Sequence, residues 1–192
     1  KEFYEIKENI NEKNKFKILI VGGSQGAEVF DTKLKDPIIN LSKNFPIKII
    51  QQTSSKNISN LVNLYSKNGI ENQIFNYDNN FLNLISQSDI CITRAGATTL
   101  AELSFLNVPF IAIPLPSSKD NHQFENANFY FEKKCCWIIE QNLLENNIEQ
   151  VLGEIIQNKT DFLKKKENLK KLNYQNSWIN VNQKILENIN EN

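Results

Sequence analysis

From Phe16 onward the chain alternates between short apolar runs and longer amphipathic ones. The short runs are "FKILIV" (16–21), "IKIIQ" (47–51), "QIFNY" (73–77), "DICIT" (89–93), "VPFIAI" (108–113) and "CWII" (136–139). They are rich in Ile, Val and Phe and bounded by Gly, Pro, Asn or Asp, so they predict six strands. The segments between them carry helical spacing: 25–44 with a break near Pro37, 55–68 with Gly69 as its stop, 80–88, 97–106 and 121–133. After Glu140 the spacing is helical throughout, with periodic Leu, Ile and Trp178. Residues 1–15 are polar and read as a linker, 16–175 as one domain and 176–192 as a terminal helix. Buried strands alternating with helices predict an α/β fold, a Rossmann-like doubly wound parallel sheet of about six strands with extra terminal helices.

In an open sheet of this kind ligands bind beyond the carboxyl ends of the strands. Three loops there carry unusual residues. In "VGGSQGAE", Gly22 and Gly23 directly follow the first strand and Gly26 falls in the first helical turn. Glycines let backbone approach a ligand, and free N–H groups at a helix start favour phosphate. A plain tight turn fits the same residues. The stretch departs from a dinucleotide fingerprint, because Val21 stands where its first glycine belongs and Gln51-Gln52-Thr53 end the second strand without an acid, which argues against nicotinamide or flavin dinucleotide binding. In "CITRAGATTLAELS", Gly96 marks a turn and the following helix puts Leu100, Ala101, Leu103 and Phe105 on its apolar side. Thr98, Thr99 and Glu102 fall together on the other side. Thr99 and Glu102 have the spacing of a capping box. Equally, the helix start could hold an anion while Glu102 accepts hydrogen bonds from sugar hydroxyls. In "IPLPSSKDNHQFENA", a helix beginning near Asp120 would set Asp120, Gln123 and Asn126 on one face, either solvated or reading hydroxyls through its amides. His122, the only histidine, has no visible partner and is not assigned as a base.

Charge narrows the field. Lys+Arg and Asp+Glu both number 22, and this zero balance argues against nucleic-acid binding. The lysines at 164–166 and 170–171 are interrupted by Glu167 and leucines, as in a solvated helix face. Three cysteines, none in a CxxC pair, predict buried, reduced thiols and no metal site. There is no membrane-length apolar run, no signal-peptide pattern, no Walker A motif and no nucleophile elbow. With no methionine and Lys1 at its start, the sequence reads as part of a longer product. The chemistry left is recognition of phosphates and hydroxyls, which a sugar nucleotide supplies together.

Taken together, "VGGSQGAE", "DICITRAGATTLAELSFLNVPFIAIPLP" and "KDNHQFENA" resemble the carboxy-terminal domain of the MurG family. These N-acetylglucosaminyltransferases convert lipid I to lipid II in peptidoglycan synthesis. The resemblance runs from about Lys17 to Gln141 and more weakly through the terminal helices. It implies the carboxy-terminal half of a GT-B fold, in which two Rossmann-like domains face a cleft and this half holds most of UDP-N-acetylglucosamine. By position, it places Gly22, Gly23, Ser24 and Gln25 beside the donor diphosphate and Glu102 on the ribose. It places Ala97 and Thr99 near the sugar and phosphates, and Gln123 and Asn126 on the N-acetylglucosamine hydroxyls. Tyr77 and Asp78 fall where the family reads uracil through backbone groups. Arg94-Ala95-Gly96 keeps the family's arginine but has Ala where Ser is common. The resemblance implies no catalytic residue in this chain, no metal and no tightly bound cofactor. The base, the lipid I site and the membrane contact belong to an amino-terminal domain, working at the cytoplasmic side of the bacterial inner membrane. Two other readings remain: a non-catalytic UDP-N-acetylglucosamine-binding subunit with a separate membrane partner, and a UDP-sugar epimerase domain.

Overall fold

The computed structural model describes residues 15–23 and 28–175. The predicted linker up to residue 14 and the terminal helix 176–192 lie outside them. Six parallel strands form one sheet: β1 (Phe16–Val21), β2 (Ile47–Gln52), β3 (Glu71–Phe75), β4 (Ile90–Thr93), β5 (Phe110–Ala112) and β6 (Cys136–Ile138), in the order β3-β2-β1-β4-β5-β6. This is the doubly wound order, with its switch point between β1 and β4.

Both faces of the sheet are covered, so successive strand residues are buried alternately in two cores. On one face Ile18, Ile20, Ile49 and Ile92 meet α1 (Glu28–Lys33), α2 (Lys35–Ser42), α3 (Ile58–Lys67) and α7 (Leu144–Gln157), through residues such as Phe30, Leu61 and Leu152. On the other, Leu19, Val21, Ile50 and Cys91 meet α4 (Phe81–Ser86), α5 (Ala97–Phe105) and α6 (His122–Glu132), through Ile85, Leu103 and Ala127. Helix α8 (Lys159–Gln175) joins the two cores: Phe162 lies edge-on to Phe16 with centroids 5.8 Å apart, and Leu169 and Leu172 pack into the second. The lysines of α8 are not uniformly solvated, since Lys165 lies over the Trp137 ring at 4.5 Å and Lys166 over Phe162 at 5.8 Å. All three cysteines are free and buried, and burial pushes the Cys136 thiol up to about 12.

Several boundaries differ from the sequence pattern for local reasons. The first helical stretch breaks at Leu34 rather than at Pro37. Proline lacks an N–H and its ring collides with the carbonyl four residues back, which is that of Lys33. Pro37 therefore sits in the first turn of α2, and the interruption falls before it. Strand β3 runs Glu71–Phe75, two residues earlier than the apolar pattern suggested. Its polar start pairs Glu71 with Lys48 opposite, and both Lys48 and Lys15 reach the carboxylate at 2.8 Å, holding Glu71 at about 2. Strand β5 is trimmed to Phe110–Ala112 and β6 ends at Ile138. Gly69, with φ +70, does end α3: its N–H donates to Ser66 O and that of Ile70 to Tyr65 O.

Helix α5 ends in the same motif with Asn107 as the left-handed residue, φ 56, while Val108 N–H donates to Leu103 O at 2.9 Å. Asn173 of α8 fastens this end. Its amide donates to Ser104 O, to Phe105 O at 3.4 Å and to Asn107 Oδ1 at 3.1 Å, and its Oδ1 accepts the Ser104 hydroxyl at 3.1 Å. Asn173→Leu should remove these four hydrogen bonds and lower folding stability by ~1–3 kcal/mol. Urea denaturation checks this, with a lower midpoint at an unchanged slope.

Candidate functional site

Val21 of β1 stands opposite Thr93 of β4 in the sheet, so the chain leaves both strands side by side. After β1 come Gly22 and Gly23. Gly23 has φ +78, a conformation that L side chains rarely adopt, and a Cβ built there would meet nothing within 4 Å. Ser24 and Gln25 lie outside the described residues. After β4 come Arg94, Ala95 and Gly96, and Gly96 is the N-cap of α5 in an ordinary extended conformation (φ −70, ψ 132). The first intrahelical bond of α5 runs from Leu100 N–H to Gly96 O at 3.0 Å. The N–H groups of Ala97, Thr98 and Thr99 thus have no acceptor within the helix and point out of its start.

This cap position decides the Thr99–Glu102 question structurally. A capping box needs its threonine at the N-cap and its glutamate three residues on. With Gly96 as the cap, Thr99 is already the third helical residue and Glu102 lies one turn deeper. No capping box forms. Among the described residues the Glu102 side chain, only half-buried, has neither a hydrogen bond nor a salt bridge.

Glu102 lines a cleft of about 410 Å³. Thr99 lines it beside Glu102, with Val21 and Gly23 from the end of β1 and Gln52 and Phe75 from the ends of β2 and β3. The β3–α4 loop, with Tyr77 and Asp78, lines it too. Because β3 ends at Phe75, Tyr77 belongs to this loop and is 76% exposed. Asp78 Oδ1 accepts Asn80 N–H at 2.7 Å, which bends the loop into α4. The volume falls in the range of small-molecule sites.

The β5–α6 loop does not follow the sequence reading. Asp120 and Asn121 take left-handed conformations (φ 50 and 55), and α6 begins at His122. Asp120 therefore shares no helix face with Gln123 and Asn126. Both amides are engaged in tying loops: Gln123 Oε1 accepts Leu115 N–H at 2.9 Å, and Asn126 donates to Ala95 O at 3.0 Å. Each keeps one polar atom, Gln123 Nε2 and Asn126 Oδ1, outside those bonds. His122 is exposed and its Nδ1 lies 2.6 Å from Lys119 O, with no carboxylate partner among the described residues.

Arg94 is a structural strut. Its guanidinium donates to Ile113 O at 3.1 Å, Pro114 O at 3.5 Å and Gln141 Oε1 at 2.6 Å, and it lies 5.1 Å from the Phe30 ring centroid. It thereby joins the loops after β4, β5 and β6. Burial moves its pKa down from the usual arginine value. No group of His, Cys, Asp or Glu that could hold a metal ion occurs among the described residues.

The sequence profile of the glycosyltransferase family 28 C-terminal domain matches residues 17–179. The chain belongs to this family. It is 45% identical over 193 residues to the UDP-N-acetylglucosamine-N-acetylmuramyl-(pentapeptide) pyrophosphoryl-undecaprenol N-acetylglucosamine transferase of Pelagibacter ubique, covering 100% of this chain and 54% of that protein. It spans about half the length, or less, of the curated relatives it matches. In fold it resembles the crystal structure of Acinetobacter baumannii MurG, with TM-score 0.75 and 24% identity over 95% of this chain and 54% of that one. A UDP-GlcNAc 2-epimerase from Neisseria meningitidis, bound to UDP-GlcNAc, shares the fold at TM-score 0.60 and 14% identity, over 94% of this chain and 45% of that one.

Within this family 28 domain the cleft unites Gly23, Tyr77, Asp78, Thr99 and Glu102. It leaves Ala97 at the helix start, and Gln123 and Asn126 beyond its lining. Sequence reasoning missed Gln52 and Phe75, although the alternation of β2 already points Gln52 away from the Gln51 side. Two substitutions separate site from scaffold. Glu102→Gln should change folding stability by no more than ~0.5 kcal/mol, since it breaks no described contact. Arg94→Met should cost ~1.5–3 kcal/mol through lost charge-assisted bonds. Chemical denaturation of both variants measures the contrast.

Proposed function

We propose that this domain holds the donor in a transfer of N-acetylglucosamine from UDP-N-acetylglucosamine to lipid I, forming lipid II. The observation that carries the reading is the cleft, which an unengaged carboxylate and an aromatic-bearing loop line together with Thr99, whose amide is free at the start of α5. Each suits one part of the donor. The free N–H groups of Ala97, Thr98 and Thr99 favour the diphosphate, together with the glycine turn at Gly22-Gly23. Glu102 accepts hydrogen bonds from the ribose diol. The backbone of Tyr77-Asp78 reads the uracil edge. Gln123 Nε2 and Asn126 Oδ1 remain to meet the sugar hydroxyls. The 45% identity to a transferase of this specificity supports the choice of donor and acceptor.

In the transfer a hydroxyl of the acceptor sugar attacks the anomeric carbon, and the bond from that carbon to the UDP oxygen breaks with inversion. The acceptor's proton passes to a base outside this domain. Positive helix-start dipoles stabilise the charge gathering on UDP, with no bound metal or cofactor assigned to the step. Acceptor binding and membrane contact belong to the other half of the protein, at the cytoplasmic face of the bacterial inner membrane. The rival readings, a donor-binding subunit with a separate membrane partner and an epimerase, share the fold. The transferase reading is preferred on identity, which is far higher with the transferase than with the epimerase.

UDP should raise the thermal midpoint of the chain, because a ligand that binds only the native state stabilises it by mass action, whereas NAD and FAD should not. Glu102→Ala should weaken UDP binding by ~1.5–3 kcal/mol and erase the preference for UDP over 2'-deoxy-UDP. Calorimetric titration of parent and variant with both nucleotides measures this. Equal ribose selectivity in the two proteins would remove Glu102 from the site.

A further inference from the structure

A polar network that plays no part in the reaction above lies on the opposite side of the β2 end from the cleft. Its centre is Asp31 of α1. Asp31 Oδ1 accepts Gln51 Nε2 at 2.9 Å, and Oδ2 accepts the Thr53 hydroxyl at 2.5 Å and Asn57 Nδ2 at 2.9 Å. Gln51 and Tyr65 are fully buried and Thr53 nearly so. The Tyr65 hydroxyl donates to Gln51 Oε1 at 2.8 Å. Burial, and then the negative charge of Asp31, raise the Tyr65 pKa, so it remains a donor. Its proton fixes which way the Gln51 amide points, and Nε2 is left to face Asp31. Three neutral donors thus hold one carboxylate, and the network has one arrangement.

The network continues toward the cleft. Thr53 N–H donates to Phe75 O at 2.8 Å, and Thr53 O accepts Asn76 Nδ2 at 3.0 Å. Asn76 O in turn accepts Gln52 Nε2 at 3.4 Å. Asn76 is the first residue after β3, and the next two are Tyr77 and Asp78 of the cleft wall. Downstream the loop is bent by the Asp78–Asn80 bond. Upstream, Asn76 is its tether, and Thr53 connects that tether to Asp31.

We propose that the relay Asp31–Thr53–Asn76 sets the position of the base-reading loop, which makes Thr53 and Asn76 positioning residues for selection of the nucleotide base. The inference rests on the UDP reading given above. Asp31 stands on α1, the first helix after the glycine turn, and Asn76 on the loop at the base end.

The test uses Thr53→Val, which keeps the shape and removes the hydroxyl donor, and Asn76→Ala, which cuts the tether at an exposed position where folding is spared. For each protein, titrations give the affinities for UDP, CDP and inorganic pyrophosphate, and a thermal scan gives stability. Both variants should bind UDP about three- to tenfold more weakly, the loss expected of one hydrogen bond, with the UDP-to-CDP preference falling by a similar factor. Pyrophosphate affinity should not change, because its site is at the other end of the cleft. A UDP-to-CDP preference equal to the parent's in Asn76→Ala overturns the inference, whatever Thr53→Val does to stability. An equal loss of UDP and pyrophosphate affinity overturns it too, since that reports general loosening. Failure of the parent to prefer UDP over CDP defeats the UDP reading itself, and is distinguishable because it needs no variant.

Discussion

The pairing of β1 with β4 is the constraint on which the site depends. Strands β2 and β3 follow on one side of this pair, and β5 and β6 on the other. The helices after β1 pack on one face of the sheet, and α5, after β4, packs on the opposite face. Two chain segments that leave neighbouring strands toward opposite faces open a crevice between them, which is why doubly wound sheets bind ligands there. Here the register from Ile18–Ile90 to Val21–Thr93 lets the chain leave the two strands at the same height, toward Gly23 on one and toward the start of α5 on the other. A slip of one residue would move the start of α5 away from the glycine turn and turn each buried strand residue toward the wrong core. The apolar residues of the two strands therefore specify the site as firmly as any residue in it.

Two charged side chains stand behind this edge, and both are held by neutral groups. Arg94 is held by two carbonyls and an amide oxygen, Asp31 by two amides and a hydroxyl. Neither has an opposite charge as partner among the described residues. Hydrogen bonding to neutral partners satisfies each ion. Arg94 braces the side of the sheet carrying β5 and β6. Asp31 braces the side carrying β2 and β3.

The six strands and their alternation with helices were legible because both sheet faces are buried, and runs such as "ILIV" and "ICI" have no other economical explanation. Boundaries failed where a single polar interaction decides them. Glu71 starts β3 through its ion pairs with Lys15 and Lys48, a fact that no local apolar pattern carries. The left-handed Asp120 and Asn121 delay α6, and only Asn and Asp permit this at low cost, so the Asp-Asn pair was the available signal. The glycine turn and Glu102 were legible as candidates from their places after β1 and in α5, and the loop at Tyr77-Asp78 through the resemblance to a known family. The Asp31 network was not, since its members are scattered from residue 31 to residue 76 and none is unusual in its own neighbourhood.

What α5 contributes follows from the order of groups along it. Its unpaired N–H groups are at its first residues, where the helix dipole favours an anion. Glu102 comes five residues after Ala97, about 7.5 Å further along the axis. A carboxylate in the first turn would occupy those amides itself, as in a capping box, and would repel a phosphate. Set one turn deeper, it leaves the amides open and offers an acceptor of its own at a fixed distance from them. A nucleoside diphosphate has the same sequence of needs: donors for its phosphates, then an acceptor for its ribose diol, then a surface for its base. In the proposed reading the helix start and Glu102 serve the first two of these, and the Tyr77-Asp78 loop, which lines the same cleft as Glu102, serves the third. The placement of one glutamate, three residues past where a capping box would want it, thus leaves a single helix with open donors at its start and a separate acceptor beyond them.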